Sequence, residues 1–157
     1  MTRILITGAA GAVGQALLAE LDGTDHAVIA TDIRRPPNLA PSVAWQPLDV
    51  TTDAPTRVIG EAKPEAVVHL ASIVDPPKHM KGRAARAFAY AVDVTGTQNV
   101  LDAALANGVR RLVVTSSGAA YGYHADNSMP LREDDPVRGN EAFPYSHHKR
   151  LVEEILA

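Results

Sequence analysis

The stretch that most constrains the fold is residues 3–14, which read RILITGAAGAVG. Its apolar run stops at Thr7, and glycines follow at Gly8, Gly11 and Gly14 before apolar residues recur at helical spacing. This order predicts a buried strand, a tight turn and the start of a helix. Glycines let a backbone approach a ligand closely, and the first N–H groups of a helix attract an anion. The stretch therefore predicts a pyrophosphate site, with a plain strand-to-helix turn as the alternative.

The rest of the chain alternates between strands and helices. Further strands are predicted at 27–31, 43–48, 65–71 and 111–115, and helices at about 54–62 and from 144 onward. Residues 82–107 are predicted to form one long helix or two helices in succession. Residues 118–143 are predicted to form a long polar loop. Strands that alternate with helices pair in parallel through right-handed crossovers. We therefore predict an α/β fold with a doubly wound parallel sheet of about five strands, in which ligands bind at the carboxyl ends of the strands.

Asp32 ends the second predicted strand, 24 positions beyond Gly8, near the distance at which dinucleotide folds place a carboxylate for the adenosine ribose hydroxyls. The alternative role for Asp32 is that of a turn residue. A carboxylate there repels a 2′-phosphate and favours NAD. Arg34 and Arg35 follow closely, and a guanidinium at the same strand end would hold that phosphate and favour NADP. NAD is the favoured cofactor, and NADP is the alternative.

Tyr145 and Lys149 stand four residues apart on the last predicted helix, so their side chains share one face. An ammonium group beside a phenol stabilises the phenolate, which makes the phenol usable as a general acid or base. Ser116 and Ser117 follow the last predicted strand, where a hydroxyl would hydrogen-bond a substrate carbonyl or alkoxide. The alternative is a chance Tyr and Lys pair on a helix.

Histidines and cysteines give no metal site. The chain has no cysteine, which excludes disulfides and thiolate ligands. His147 and His148 are adjacent and point in different directions on a helix, so no metal is expected between them. His69 lies within an apolar strand and is expected to be a hydrogen-bonded core residue rather than a ligand.

Length and charge exclude several classes of protein. A chain of 157 residues fits one domain, and its formal net charge of −3 argues against a nucleic-acid binder. No apolar run approaches the roughly 20 residues of a membrane helix. The first predicted strand begins at residue 3 and leaves no room for a signal peptide, so we expect a cytoplasmic protein.

These features together resemble the extended short-chain dehydrogenase/reductases, the group that contains nucleotide-sugar epimerases and dehydratases. The resemblance covers essentially the whole chain. It is carried in order by TGAAGAVG (7–14), Asp32, DV (49–50), HLAS (69–72), VDVTGTQNVLDAA (92–104), VVTSSGAAYG (113–122), PLREDDPV (130–137) and YSHHK (145–149).

The resemblance implies a role for each matching residue. Tyr145 would be the general acid/base, Lys149 its electrostatic partner, and Ser117 the hydroxyl that polarises the substrate. The implied cofactor-binding residues are Gly8, Gly11, Gly14, Ala12, Val13, Asp32, Asp49, Val50, Leu70, Ala71, Ser72, Tyr145 and Lys149. The implied activity is NAD-dependent hydride transfer at a hydroxyl-bearing carbon of a nucleotide sugar or related alcohol, by an oxidoreductase or an isomerase. Family members commonly pair their long helices across a two-fold axis, which implies a homodimer.

The chain departs from the family pattern in two places. Many members carry Asn where this chain has Asp93, and a carboxylate accepts hydrogen bonds but cannot donate them as an amide does. Family members are also considerably longer than this chain. The resemblance therefore implies that residues 1–157 are an incomplete dinucleotide-binding domain that lacks the substrate-binding part, with the fifth strand as an open edge. We expect self-association or marginal stability.

Two further alternatives follow from the sequence. The basic residues Lys78, His79, Lys81, Arg83 and Arg86 would meet an anionic or nucleotide-linked substrate, or else form a solvated loop and helix start. The protein as a whole would be an enzyme, or else a dinucleotide-binding sensor or scaffold without turnover, or a truncated inactive fragment.

Overall fold

The computed structural model describes residues 1–157, and its centre is one parallel sheet in the order β3-β2-β1-β4-β5. The strands are β1 (Arg3–Thr7), β2 (Ala27–Asp32), β3 (Ala44–Pro47), β4 (Ala66–His69) and β5 (Arg111–Val114). The helices are α1 (Ala12–Leu21), α2 (Ala54–Ala62), α3 (Gly82–Tyr90), α4 (Gly96–Ala106) and α5 (Pro144–Leu156). All four strand pairings are parallel, which confirms the predicted fold class.

The chain forms two compact units. The first unit comprises residues 1–72 and 96–115, and the second comprises residues 73–95 and 116–157. In the first unit, Leu5 and Ile6 of β1 and Val67 of β4 are completely buried. Buried central strands of a parallel sheet are apolar on successive residues, which explains why β1 was visible in the sequence.

Two elements differ from their predicted form, and one takes the second of its two predicted forms. β4 ends at His69, earlier than predicted, although the Leu70 N–H still donates to the Thr7 carbonyl at 3.2 Å. Residues 82–107 form two helices in succession, α3 and α4, with a π-helical turn at Ala91–Thr95 between them in the chain, where Asp93 is buried. The predicted loop 118–143 begins with a 3₁₀ turn at Gly118–Tyr121, because Ser117 caps it with its side chain.

β5 is an edge strand, as predicted. It pairs with β4 and with no other strand, and its Val113 side chain is 45% exposed. Unpaired N–H and C=O groups along such an edge are a template for pairing with another chain. None of the helices combines the length and the apolar character needed to cross a membrane.

Candidate functional site

The glycine turn after β1 is built by close backbone approach in the first unit. Gly8 has φ +68°, and a Cβ atom there would stand 2.5 Å from the Ala71 nitrogen and 2.6 Å from the Leu70 carbonyl carbon. A Cβ atom at Gly14 would collide with the Gly8 carbonyl oxygen and stand 2.7 Å from the Ala9 Cα. Both positions therefore exclude every side chain, and the reason is steric.

Asp32 holds this turn from the end of β2. Its Oδ2 accepts the Ala10 N–H at 3.0 Å, and its Oδ1 accepts the Arg34 N–H at 3.1 Å. The turn is also tied to β2 by the Ala9 N–H, which donates to the Thr31 carbonyl at 3.1 Å. The carboxylate thus shapes the glycine turn directly, a contact that the spacing in the sequence does not reveal.

Helix α1 begins directly after this turn without a side-chain cap. Gly11 is its N-cap and makes no side-chain hydrogen bond, while Gly11, Ala12 and Val13 are exposed. The first N–H groups of a helix have no partner within the helix, and they carry the positive end of its dipole. This helix start can therefore receive an anionic group of a ligand.

The other residues predicted to bind the cofactor follow β3 and β4. Asp49 is engaged in its own loop, where its Oδ1 accepts the Thr51 N–H at 2.9 Å and the Thr51 hydroxyl at 2.7 Å. Val50 is buried, and its carbonyl accepts the Asn99 side-chain N–H at 2.8 Å. Leu70, Ala71 and Ser72 come directly after β4 and are half-buried.

His69 is a hydrogen-bonded core residue, as predicted. It is 2% exposed, and its Nδ1 lies 2.7 Å from the Thr7 Oγ1. Its Nε2 lies 3.1 Å from the Thr97 Oγ1. Both ring nitrogens are therefore engaged inside the first unit. The chain contains no group of three or more His, Asp or Glu side chains arranged to hold a metal ion.

Tyr145 and Lys149 lie together on α5 in the second unit, as their spacing predicts. The Lys149 Nζ is 5.7 Å from the centre of the Tyr145 ring. Lys149 is 4% exposed, whereas Tyr145 is half-buried. Burial lowers the pKa of Lys149 below its ordinary value, and the carboxylates of Asp93 and Glu153 oppose this by raising it.

Ser117 caps the 3₁₀ turn, and Ser146 joins the start of α5 to that turn. The Ser117 Oγ accepts the Ala119 N–H at 3.2 Å. The Ser146 Oγ donates to the Ala119 carbonyl at 2.6 Å and accepts the Asn140 N–H at 2.9 Å. Ser146 was not singled out in the sequence, and the one available signal was its place in the first turn of a helix.

Asp93 and His148 form a second pair that sequence reasoning did not find. The Asp93 Oδ1 accepts the Ile73 N–H at 2.9 Å, and its Oδ2 lies 3.4 Å from the His148 Nδ1. The His148 ring also packs edge-on to Tyr90, with 5.6 Å between centroids. The Asp93 carboxylate therefore serves as an acceptor at this position.

The predicted basic segment is mostly solvated. Five basic side chains are exposed: Lys78, His79, Lys81, Arg83 and Arg86. Of these, Arg86 lies on the wall of a cavity in the second unit. The contact with an anionic substrate stays a prediction, and Arg86 is the basic residue of this segment that lines a cavity.

Comparison with known proteins assigns nearly all of the chain to one family. The chain also matches longer proteins, over half of their length or less. The model of the NAD dependent epimerase/dehydratase family matches residues 4–157. A UDP-glucose 4-epimerase of Mycolicibacterium smegmatis is 34% identical over 98% of this chain and 50% of its own length. A 3 beta-hydroxysteroid dehydrogenase/Delta 5→4-isomerase of Mycobacterium tuberculosis is 33% identical over 92% of this chain and 37% of its own length.

A solved structure likewise matches nearly all of this chain over less than half of its own length. The crystal structure of a short-chain dehydrogenase/reductase superfamily protein from Agrobacterium tumefaciens, with bound NAD, has a TM-score of 0.81 and 34% identity. It matches 98% of this chain and 44% of that chain. The residues predicted to bind the dinucleotide through its phosphates and adenosine all lie in the first unit, and Ser117, Tyr145 and Lys149 all lie in the second.

Proposed function

Because the chain belongs to the NAD dependent epimerase/dehydratase family, we propose that residues 1–157 are the dinucleotide-binding part of an NAD-dependent oxidoreductase or epimerase. The observation that carries the proposal is the glycine turn. It excludes side chains at Gly8 and Gly14, and it is held by the Asp32 carboxylate. A bare backbone turn before an uncapped helix suits a pyrophosphate.

We propose that the predicted residues of the first unit bind different parts of the dinucleotide. Gly8, Gly11 and Gly14, with the first residues of α1, Ala12 and Val13, would hold the pyrophosphate. Asp32 would accept the adenosine ribose hydroxyls, since each of its oxygens uses one lone pair on a backbone N–H and has another left. The residues that would line the rest of the cofactor path are Asp49, Val50, Leu70, Ala71 and Ser72.

Tyr145 would perform the proton transfer. When bound, NAD supplies a hydride acceptor for the carbinol carbon of the substrate. The Tyr145 phenolate takes the proton of the substrate hydroxyl, and the buried Lys149 ammonium stabilises that phenolate. The Ser117 hydroxyl donates a hydrogen bond to the substrate oxygen, which becomes a carbonyl. A dehydrogenase releases this carbonyl compound, and an epimerase reduces it from the other face.

The substrate would carry a hydroxyl group on the reacting carbon. The relatives name two classes, UDP-glucose and a 3 beta-hydroxysteroid. A nucleotide sugar or a related alcohol fits the proposed proton transfer equally well. The chain spans about half the length of the curated relatives it matches. A second candidate function is a dinucleotide-binding module without turnover, which would need only the glycine turn and the Asp32 carboxylate.

Calorimetric titration of the chain with NAD and with NADP tests the cofactor. We expect NAD to bind more tightly, because the Asp32 carboxylate repels a 2′-phosphate. Asp32→Asn keeps an acceptor for the Ala10 N–H but removes the charge, so it should narrow the difference between the two cofactors. Binding of neither cofactor, or tighter binding of NADP to the unsubstituted chain, would contradict the proposal.

Turnover is tested with UDP-glucose and with a 3 beta-hydroxysteroid as substrates, from the absorbance of NADH for dehydrogenation and from the sugar products for epimerisation. Tyr145→Phe should abolish turnover, because the phenylalanine has no proton to exchange, while NAD should still bind through the residues of the first unit. NAD binding without turnover of either compound, in the unsubstituted chain, would favour the binding module.

Association between copies of this chain is also proposed, on the observation that β5 is an edge strand with an exposed Val113. Sedimentation analysis should show a dimer or larger species at micromolar concentration. A stable monomer in that measurement would refute self-association.

A further inference from the structure

The second unit contains a cavity of about 190 Å³ that the proposed function leaves unassigned. Its wall comes from three stretches of the chain, namely the residues after Ser72, helix α3 and the start of α5. Apolar side chains make up most of this wall, among them Ile73, Val74, Ala89 and Phe143. Such a lining favours a ligand that presents carbon rather than hydroxyl groups.

Three of the lining side chains are polar, and one of them is already engaged. They are Arg86, Tyr145 and His148. The His148 Nδ1 faces the buried Asp93 carboxylate at 3.4 Å. Apart from the exposed Arg86 guanidinium, the wall offers hydrogen-bond partners for one or two ligand groups. A sugar ring carries more hydroxyls than the apolar part of this wall can pair, and each hydroxyl left unpaired on burial weakens binding.

The size of the cavity points to the same kind of ligand. An apolar cavity of about 150 Å³ is known to take up benzene, so one of 190 Å³ accommodates a single saturated ring with a substituent. Tyr145 is part of the wall, so its phenol group is the candidate partner for a ring hydroxyl.

We propose that this cavity binds the apolar ring of an alicyclic alcohol, with the ring hydroxyl hydrogen-bonded to Tyr145. The inference rests on the proposed function for the role of Tyr145 as the proton-transfer group. It narrows the two substrate classes to the one with a hydrocarbon skeleton, the class that the hydroxysteroid dehydrogenase relative represents by its name.

The test is an NMR titration of the 157-residue chain, without cofactor, using cyclohexanol and myo-inositol as probes. The two probes share a six-membered ring and differ in the number of hydroxyls. We expect cyclohexanol to cause saturable shifts at the amides of Ala89 and Phe143, and myo-inositol to bind at least tenfold more weakly. Equal binding of the two probes, or shifts that avoid these residues, would overturn the inference.

Two tryptophan variants localise the binding. Ala85 lies on the cavity wall, whereas its neighbour Ala84 is exposed and is not part of the wall. Ala85→Trp should abolish the cyclohexanol shifts, and Ala84→Trp should keep them. Loss in both variants, or in neither, would contradict binding in this cavity. The comparison of the two probes on the unsubstituted chain needs no variant, so a failure of Ala85→Trp to fold does not affect it.

Tyr145→Phe tests the hydroxyl contact. It should weaken cyclohexanol binding several-fold while the shifts stay at the same amides, and unchanged affinity would rule out the contact. Because NAD is absent, these measurements report on the cavity alone, and their failure is distinguishable from failure of the proposed function. That function fails if NAD does not bind or no alcohol is turned over, whatever occupies the cavity.

Discussion

The glycine turn of the first unit leaves no room for a side chain at Gly8 or Gly14, whereas α5 of the second unit is held by buried polar side chains that contact partners elsewhere in that unit. At Gly8 a single added Cβ atom would meet the backbone at 2.5 Å. At Asp93 and Ser146, by contrast, buried polar groups find partners that lie far away in the sequence. The conformation of the glycine turn requires residues without a side chain, and that of the second site requires polar side chains that form buried hydrogen bonds.

The two sites should therefore be sensitive to different kinds of substitution. Added volume should damage the first unit, because its neighbouring atoms are backbone and cannot move aside. Removed polar groups should damage the second unit, because their buried partners would be left without hydrogen bonds. The predictions below test the two halves of that contrast.

Gly8→Ala should have the largest effect. Its positive φ costs an alanine about 1 kcal/mol, and the collision with the Ala71 and Leu70 backbone costs about 3 kcal/mol, so we expect a loss of about 4 kcal/mol in the free energy of unfolding. Gly23→Ala is the matched control, since Gly23 has φ +74° and no atom within 4 Å of the added Cβ.

Urea unfolding measures both variants. The control should lose about 1 kcal/mol, the cost of the backbone conformation alone. If the two variants lose the same stability, the close approach of Gly8 to the Leu70 and Ala71 backbone does not contribute. The steric explanation of the glycine turn is then wrong.

Asp93→Ala should have the next largest effect. It removes the acceptor of the Ile73 N–H and the neighbour of the His148 Nδ1, and an unpaired buried group costs about 2 kcal/mol. Asp93→Asn keeps an oxygen for the Ile73 N–H and is the control. Amide exchange should accelerate at Ile73 in the alanine variant and stay slow in the asparagine variant; fast exchange in both would show that the carboxylate charge matters more than the acceptor.

Ser146→Ala should cost about 1 kcal/mol. The Ala119 carbonyl and the Asn140 N–H both lose their side-chain partner, although water can reach part of this region. Ser42→Ala is the comparison, because the Ser42 hydroxyl is exposed and bonds the exposed Asp22. Thermal unfolding should separate the two variants, and an equal melting temperature would weaken the second half of the contrast.

The Asp126 and Arg138 pair should have the smallest effect, because both side chains are exposed. Arg138 donates to both carboxylate oxygens at 3.0 Å and lowers the pKa of Asp126 below its ordinary value. The stability from this pair is present above the pKa of the unfolded chain and is lost as pH falls through the lower pKa of the folded chain. Exposed pairs of this kind are weak.

Arg138→Gln provides the measurement. Its melting temperature should fall slightly less than that of the unsubstituted chain on acidification from about pH 6 to about pH 3. A large difference would mean that exposed pairs stabilise the second unit as strongly as its buried ones.

The same contrast explains which features the sequence reveals. Local patterns of apolar runs and glycines mark β1, β2 and the glycine turn. The sequence therefore predicts their positions almost to the residue. His69 was correctly predicted to be a core residue, because an apolar strand surrounds it. The family and its fold followed from several such local motifs in order.

The features that sequence reasoning missed depend on contacts between distant residues. Asp93 and His148 are 55 positions apart, and neither residue carries a local sign of the other. The π-helical turn at Ala91–Thr95 has no special residue, and burial of Asp93 accompanies it. Ser146 lies between Tyr145 and His147, and nothing in that order indicates its bond to Ala119.

The Asp32 carboxylate has a consequence for ligand affinity. Its two oxygens are fixed by the N–H groups of Ala10 and Arg34 before any ligand arrives, so its rotamer freedom is already spent. Immobilising a free side chain on binding costs about 0.5–1.5 kcal/mol. A ribose bound at Asp32, as proposed, would avoid this entropic cost, so the preorganised carboxylate should tighten binding.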